Sequence, residues 1–99
     1  MEFDVGDDVM TLDELRVQLD ALDLEIMALL NKRQHACIQV GEIKKGSGQE
    51  VHDPEREDAI LRRLEDLNCG PFPNDALHDV YARILKASAD EQRRIVDAD

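Results

Sequence analysis

Apolar residues recur at alternating steps of three and four along the first half of the chain. The series is Leu12, Leu15, Leu19, Leu22, Ile26, Leu29, Ala36, Val40 and Ile43. Arg33 occupies the one position of the series where a cation replaces the expected apolar side chain. This heptad spacing predicts a helix whose apolar stripe faces a partner helix along its whole length.

Both ends of this helix carry recognisable residues. Thr11 followed by Glu14 matches a capping box, and Lys44 and Lys45 before Gly46 place cations in a last turn that a glycine ends. We therefore expect one helix over about 12–45, which spans roughly 50 Å. A compact chain of this size has a radius of gyration of only about 13 Å. A monomer would leave the leucines in water, so the sequence predicts an obligate dimer.

Two shorter helices follow a glycine-rich loop. Asp53 before Pro54 predicts a helix start, with an N-cap and a proline at the first helical position, and we expect this helix over about 54–68. Asn74 or Asp75 is expected to cap a third helix over about 74–97. The predicted fold is all-α, with one long and two shorter helices in a domain over 11–99, after an acidic, disordered tail over 1–10.

Composition narrows the function classes. The formal net charge of −11 opposes binding to nucleic acid or to an anionic membrane surface. No apolar run approaches the ~20 residues that span a bilayer. Cys37 and Cys69 lie in unrelated contexts and are expected to be reduced thiols of a cytoplasmic protein. The three histidines share no ligand spacing, so we expect no metal and no cofactor.

Cations stand where the first helix should be apolar. Lys44 lies eleven residues after Arg33, which is close to three full turns and puts both on one face. Between them, the small or medium residues from Ala36 to Gly41 are expected to form a shallow floor. Two long cations flanking such a floor could reach a small molecule that lies over it.

The other helices add polar residues at inward positions. Ser88 and Gln92 replace apolar residues in the stripe of the third helix. Arg56 and Glu57 precede the apolar face of the second helix by three or four residues, beside the N-cap Asp53. Unpaired buried charges are costly, so these positions require partners, solvent or a ligand.

Each of these residues also has an ordinary structural interpretation. An arginine in a heptad stripe can set register or oligomeric state, and Lys44 can be a cation favoured by the helix dipole. Ser88 can be a small packing residue, Gln92 can be solvated, and Arg56 and Glu57 can form a surface pair. Taken alone, the pattern indicates a site for a small anionic ligand and leaves a purely structural role open.

Arg16 adds a geometric constraint. It precedes Arg33 by 17 residues, which places it about 25 Å away along the helix and some 100° around it. It therefore cannot reach a pocket over Ala36–Gly41 of its own straight helix. An antiparallel partner helix could bring its own Arg16 to that pocket, so that dimerisation and site formation would be one event.

The ordered motifs resemble those of the all-helical, AroQ-type chorismate mutases. The matching pieces are Leu15-Arg16, Ala21-Leu22-Asp23, Leu29-Leu30-x-x-Arg33, Val40-Gly41-x-x-Lys44, Asp53-x-x-Arg56-Glu57 and Ser88-x-x-x-Gln92. The resemblance runs from about Leu12 to Arg94. The connector Gly70–Pro73 and the third helix are similar to those of mutase domains fused to prephenate dehydratase, and both a fragment of such a fusion and a free-standing enzyme remain open.

The resemblance implies an intertwined homodimer of three-helix protomers with two shared sites and no cofactor. It implies that chorismate is rearranged to prephenate on the way to phenylalanine and tyrosine. By this resemblance Arg33 and the partner's Arg16 bind the substrate carboxylates. Lys44 and Gln92 hydrogen-bond the ether oxygen, and Lys44 also helps with a carboxylate.

The same resemblance also implies which residues contact the ring end of the substrate. Glu57 and the backbone of Asp53 would hold the ring hydroxyl, while Arg56 and Ser88 would lie at the ring carboxylate. A pericyclic rearrangement needs no nucleophile, general base or metal, and the sequence offers none of these in a recognisable arrangement. It needs a folded substrate and donors where the breaking C–O bond gathers electron density, a task suited to Lys44 and Gln92.

Two alternatives are weighed against the mutase. Isochorismate pyruvate lyases share the fold and the cationic carboxylate grips, but they usually lack acidic residues corresponding to Asp53 and Glu57. A non-catalytic helical dimerisation or regulatory module would explain the heptad stripe. It would not explain polar residues contributed by three helices at matching spacing.

Overall fold

The computed structural model describes residues 9–99, which form three α-helices and no strand. The helices are α1 (Leu12–Ser47), α2 (Pro54–Leu67) and α3 (Asn74–Val96). The predicted all-α fold with one long and two shorter helices is confirmed. The predicted acidic tail over 1–10 lies outside the described residues except for Val9 and Met10. The chain divides into two compact units, one ending at Arg33 and one running from Gln34 to Asp99.

The first unit is the N-terminal part of α1. Thr11 N–H donates to Glu14 Oε1 at 2.8 Å and Glu14 N–H donates to Thr11 Oγ1 at 3.1 Å, which confirms the predicted capping box. Every large apolar side chain between Val9 and Leu30 is exposed, from 40% for Leu30 to 78% for Val9. Within residues 9–99, no helix has both the length and the apolar character that crossing a bilayer would require.

The C-terminal end of α1 differs from the prediction. The helix continues through Gly46 to Ser47, and the glycine that ends it is Gly48, whose φ is +75°. Gln49 N–H donates to the carbonyl of Lys44 at 3.2 Å, five residues back across the left-handed glycine. This is a Schellman arrangement, in which glycine avoids the Cβ clash of a left-handed residue.

The helix α2 begins as its sequence predicts. Asp53 is the N-cap, its side chain accepts a hydrogen bond from the backbone N–H of Arg56 at 3.1 Å, and Pro54 occupies the first helical position. The carbonyl of Asp53 accepts from the N–H of Glu57 at 3.1 Å. The side chain of Asp53 thus satisfies one of the N–H groups that the first turn of a helix leaves without a partner.

The helices α2 and α3 form an antiparallel pair. Asn68, just after α2, donates to the carbonyl of Phe72 and to Asn74 Oδ1, both at 2.8 Å, and thereby closes the connector. His78 lies 3.1 Å from a carboxylate oxygen of Glu65 across the pair. The connector contains a cis peptide bond between Gly70 and Pro71. Ile60 of α2 and Leu85 of α3 are buried.

The helix α3 begins at Asn74, as its expected bounds have it, but its N-cap differs from the prediction. Pro73 is the N-cap and makes no side-chain capping bond, while Asn74 is already the first helical residue. The Asn74 side chain bonds instead to Asn68 and to the carbonyl of Glu65. Neither Asn74 nor Asp75 therefore acts as the N-cap that the sequence suggested, because a contact with the preceding helix engages the Asn74 amide.

The last three turns of α1 run parallel to the end of α3. Gln34 Nε2 donates to the carbonyl of Ala87 at 3.4 Å, and Lys45 Nζ contacts the carbonyl of Ala98. Between these two ties, α1 contacts α3 through small residues. This pairing brings the polar positions of α3 against the face of α1 that precedes Lys44.

Candidate active site

Two polar residues of α3 are buried against α1. Ser88 is 5% exposed and Gln92 is 9% exposed. They lie one turn apart, so both face the same neighbour. Ser88 Oγ donates to Cys37 Sγ at 2.7 Å, and Gln92 Nε2 donates to Ser88 Oγ at 3.4 Å. The side chains form a short polar chain inside an otherwise apolar contact.

The carbonyl end of the Gln92 amide is unsatisfied. Gln92 Oε1 is buried and has no hydrogen-bond partner among the described residues. A buried acceptor left without a donor costs about 1–3 kcal/mol, so such a group requires an explanation. A half-turn of the carboxamide exchanges nitrogen and oxygen at nearly constant shape. The amide can therefore place either an acceptor or a donor at this buried position.

Lys44 lies one turn after Gly41, the α1 residue that touches Gln92. An ideal Cβ built at Gly41 would lie 3.2 Å from Gln92 Cα, so the two backbones are very close there. The Lys44 side chain is half-buried, and its Nζ donates to the carbonyl of Val51 at 3.4 Å. An ammonium has three donors, and this long contact engages one of them.

The contact from Lys44 to Val51 ties α1 to the segment before α2. Asp53 follows two residues later, with its side chain and carbonyl already used in starting the helix. Its backbone N–H is not part of the helical pattern. Glu57 is half-buried one turn into α2, whereas the Arg56 side chain is exposed. Arg56 thus differs from the expected inward position, and the structure places it at the surface.

The two remaining predicted residues belong to the N-terminal unit. Arg33 is half-buried and makes interactions of its own, and Arg16 is exposed. The structure therefore brings together Ser88 and Gln92 directly. Lys44 follows one turn after Gly41, the α1 residue against which Gln92 packs, and its Nζ donates to the Val51 carbonyl.

The expected open floor on α1 is not what the structure shows. Cys37 and Gly41 are buried beneath α3, whereas Ala36 and Val40 on the neighbouring strip of α1 are exposed. The sequence did carry a sign of this contact. Two small residues four apart on α1 face Ser88 and Gln92, which are also four apart, on α3.

The charged groups of α3 whose pKa is shifted lie away from this cluster. The hydrogen bond from Lys86 lowers the pKa of Asp90, which is about 200° around the helix from Ser88. The hydrogen bond from Arg94 lowers the pKa of Glu91, and the same bond raises the pKa of Arg94. These are pairs three or four residues apart on α3 itself, and none of them includes Ser88 or Gln92.

The unit from Gln34 to Asp99 thus holds a carboxamide and a hydroxyl in contact, and an ammonium on α1 one turn after the residue that packs against the carboxamide. These groups donate hydrogen bonds without needing to exchange a proton during a reaction. They are suited to holding an oxygen atom that gathers negative charge.

Comparison with known proteins identifies relatives of this chain. It matches the family described as chorismate mutase type II over residues 15–93. It is 42% identical over 79 residues to a bifunctional chorismate mutase/prephenate dehydratase of Neisseria gonorrhoeae, covering 76% of this chain and 21% of that protein. The chain thus spans about a fifth of the length of that relative.

Solved structures show the same likeness in three dimensions. A chorismate mutase from Thermus thermophilus superposes with a TM-score of 0.82 at 32% identity, over 84% of this chain and 94% of the other. A chorismate mutase from Helicobacter pylori, solved in complex with prephenate, gives 0.79 at 29% identity, over 89% and 97% of the two chains.

Proposed function

Because this chain belongs to the chorismate mutase type II family, we propose that it rearranges chorismate to prephenate. The step is intramolecular. One C–O bond of the enolpyruvyl ether breaks while one C–C bond forms, and no atom is exchanged with the protein. The protein has to hold the substrate folded and to stabilise the charge that develops on the ether oxygen.

The unsatisfied end of Gln92 carries this proposal. A half-turn of its amide directs the nitrogen toward the position that Oε1 occupies, where it donates to the ether oxygen. The amide oxygen then accepts from the Ser88 hydroxyl, and the Cys37 thiol donates to Ser88 Oγ in turn. Every polar atom of the buried chain is thus satisfied when substrate is bound, which explains a group that is otherwise costly.

Lys44 supplies the second donor to the ether oxygen. Its side chain is half-buried, and it gives up only a long contact to the Val51 carbonyl in order to reach the substrate. A cation beside an oxygen that becomes negative stabilises the transition state more than the ground state. That difference is what lowers the barrier.

The remaining assignments are those that the resemblance to the all-helical chorismate mutases implies for the matching positions. Arg33 and the partner's Arg16 bind the two carboxylates, and Lys44 also contacts one of them. The backbone N–H of Asp53 and the carboxylate of Glu57 hold the ring hydroxyl. We assign the contact to the N–H because the Asp53 carbonyl and its Oδ1 are engaged in starting α2 and because an N–H can donate to the hydroxyl oxygen.

At the ring carboxylate we place Ser88 and Arg56. Ser88 is buried within the polar chain beside Gln92. The exposed Arg56 side chain would have to turn inward from the first turn of α2. It is therefore the substrate contact that we expect to form last.

The exposed stripe of α1 supports an intertwined homodimer with shared sites. Leu12, Leu15, Leu19, Leu22 and Ile26 are each more than 40% exposed, although they follow a heptad spacing that suits a partner helix. A contiguous apolar stripe of this kind marks an interface. The same pairing would let each chain supply Arg16 to the other chain's site.

The setting of the reaction follows from its product. Prephenate leads to phenylalanine and tyrosine, so we assign the chain to aromatic amino acid biosynthesis. A cytoplasmic location agrees with the chemistry of the two cysteines, which are thiols. We expect the reaction to need neither metal nor cofactor, and we expect no nucleic acid or membrane partner.

A direct assay tests the activity. Purified protein with chorismate should deplete the absorbance of its conjugated ring and yield prephenate, with no pyruvate released and no effect of a metal chelator. Isochorismate offered in parallel should release no pyruvate. Release of pyruvate from isochorismate would assign the chain to the lyases of this fold, and inertness toward both would favour a non-catalytic dimerisation module.

A further inference from the structure

Gly41 lies in the interior of α1, where glycine weakens a helix relative to alanine. Its φ is not in the left-handed region, since the glycines of positive φ among the described residues are Gly48 and Gly70. Backbone freedom is therefore not the reason for a glycine at this position. Gly41 is buried, so the reason has to lie in what packs against it.

A side chain at position 41 would collide with α3. An ideal Cβ there lies 3.2 Å from Gln92 Cα, 3.2 Å from Ile95 Cδ1 and 3.5 Å from Gln92 Cγ. The end of Ile95 can turn aside, whereas a backbone Cα can retreat only if α3 moves by a few tenths of an ångström. The glycine thus allows the backbone of α3 to approach α1 closely at Gln92.

We propose that Gly41 is a positioning residue for the reaction, because it sets how deeply Gln92 sits against α1 and hence where the Gln92 amide meets the substrate. This inference rests on the proposed function. Lys44 lies on the same helix, one turn further on, so the contact at Gly41 also fixes the spacing between the two donors. Donors act strongly only at hydrogen-bond distance from the developing oxyanion, and small misplacements lower the rate steeply.

The chain offers a matched control. Gly46 lies on the same helix, its φ is also not positive, and a Cβ there would meet nothing within 4 Å. Gly46→Ala therefore introduces the same methyl group and the same gain in helix propensity without touching α3. Any effect of Gly41→Ala that Gly46→Ala lacks arises from the contact with α3.

We expect Gly41→Ala to lower kcat for chorismate about tenfold while KM changes less than about threefold and the helical circular dichroism is retained. Gly46→Ala should keep the wild-type kcat and melt no lower than the wild type. Adding Ile95→Val to Gly41→Ala removes the terminal methyl that the new Cβ would meet, and it should restore part of the lost kcat.

The route through Gln92 is tested by a double-mutant cycle. In a Gln92→Ala background, Gly41→Ala should cause no further loss of kcat, because the amide that it displaces is absent. An equal loss of kcat with and without the Gln92 side chain would overturn the proposal, and so would a wild-type kcat in Gly41→Ala. If Gly41→Ala alone does not fold, the Gly41→Ala/Ile95→Val variant serves in both arms. Failure of the wild type to turn over chorismate would instead refute the proposed function.

Discussion

At the scale of single residues, the proposed site depends on buried polar groups, whose burial costs free energy wherever they lack a hydrogen-bond partner. Ser88 is satisfied on both sides, by the Cys37 sulfur and by the Gln92 amide nitrogen. Gln92 is satisfied at one end only. Packing alone would favour an apolar side chain at 92, which would remove the penalty. The role that we propose for the amide toward the substrate would account for its retention.

Lys44 permits a sharp test because function and stability should respond differently to its loss. Lys44→Ala removes one strong donor to the transition state, so kcat should fall about 10²–10³-fold. The structure gives its Nζ a single long contact, to the Val51 carbonyl at 3.4 Å. The free energy of unfolding should therefore change by less than about 1 kcal/mol. Steady-state kinetics and thermal melts of one preparation measure both quantities.

The control for this test is Lys45→Ala. Lys45 neighbours Lys44 in the last turn but contacts the Ala98 carbonyl at the end of α3, so its loss should leave kcat unchanged. Equal losses of kcat in the two variants would mean that general positive charge, rather than one placed donor, matters. A Lys44→Ala protein that melts far below the wild type would make the lysine structural.

At the scale of the helices, the sequence predicted best what is decided locally. The starts of α1 and α2 rest on bonds that span three or four residues, Thr11 with Glu14 and Asp53 with Arg56. The start of α3 was predicted at the right position but with the wrong N-cap, because the Asn74 side chain bonds to Asn68, a contact that helix propensity does not contain. The end of α1 was predicted at Gly46, whereas the helix continues to Ser47 and the left-handed glycine is Gly48, which the cations of the last turn do not reveal.

For the candidate site too, the sequence pattern predicts some features, whereas others depend on how the helices pack. The types and order of Lys44, Ser88 and Gln92 follow from residues that are polar where the periodicity requires apolar ones. The depth of Gln92 does not follow from the pattern, because it depends on how closely α3 packs on Gly41. The inward position expected for Arg56 follows from the phase of the helix, but the first turn of α2 leaves that side chain in solvent.

The N-cap of α2 provides a prediction at this scale. Asp53→Ala removes the side-chain acceptor for the N–H of Arg56, and it should lower the free energy of unfolding by about 1 kcal/mol. Asp53→Asn keeps a capping oxygen and should lose only a few tenths of a kilocalorie per mole. Urea denaturation of the two variants measures the difference.

The same pair of variants tests how Asp53 meets the substrate. Because the proposed contact is through its backbone N–H, Asp53→Asn should retain kcat/KM within about threefold of the wild type. If Asp53→Asn lowers kcat/KM as much as Lys44→Ala does, the carboxylate itself binds the ring hydroxyl. The assignment to the backbone would then be wrong.

At the scale of the whole molecule, the exposed apolar stripe of α1 and the cation Arg16 both favour a dimer. The large apolar side chains from Val9 to Leu30 are exposed in a single chain, and covering them would stabilise the fold through the hydrophobic effect. Arg16 lies on the same part of α1. A partner that covers the stripe would therefore bring its own Arg16 close to the other chain. The proposed dimer thus has both a stabilising and a catalytic role.

Mixing two inactive variants tests whether sites are shared. Homodimers of Arg16→Ala and of Lys44→Ala should each be nearly inactive, because every site lacks one group. A mixed dimer has one site with both groups intact and one site with neither. After subunit exchange at equal concentrations, about a quarter of wild-type turnover should return. Sedimentation should report a dimer for each variant, so that exchange is the variable being tested.

A second mixture supplies the control. Arg33 and Lys44 are assigned to the same chain's contribution to a site, so every site in a mixed dimer of Arg33→Ala with Lys44→Ala lacks one of them. This mixture should regain no turnover, although its subunits exchange as readily as those of the first mixture. If turnover returns in both mixtures, then Arg33 and Lys44 of one site come from different chains. Suppose that the first mixture regains no activity although mass spectrometry verifies subunit exchange. Each chain would then build its site with its own Arg16 or without any Arg16, and the proposal of shared sites would be wrong.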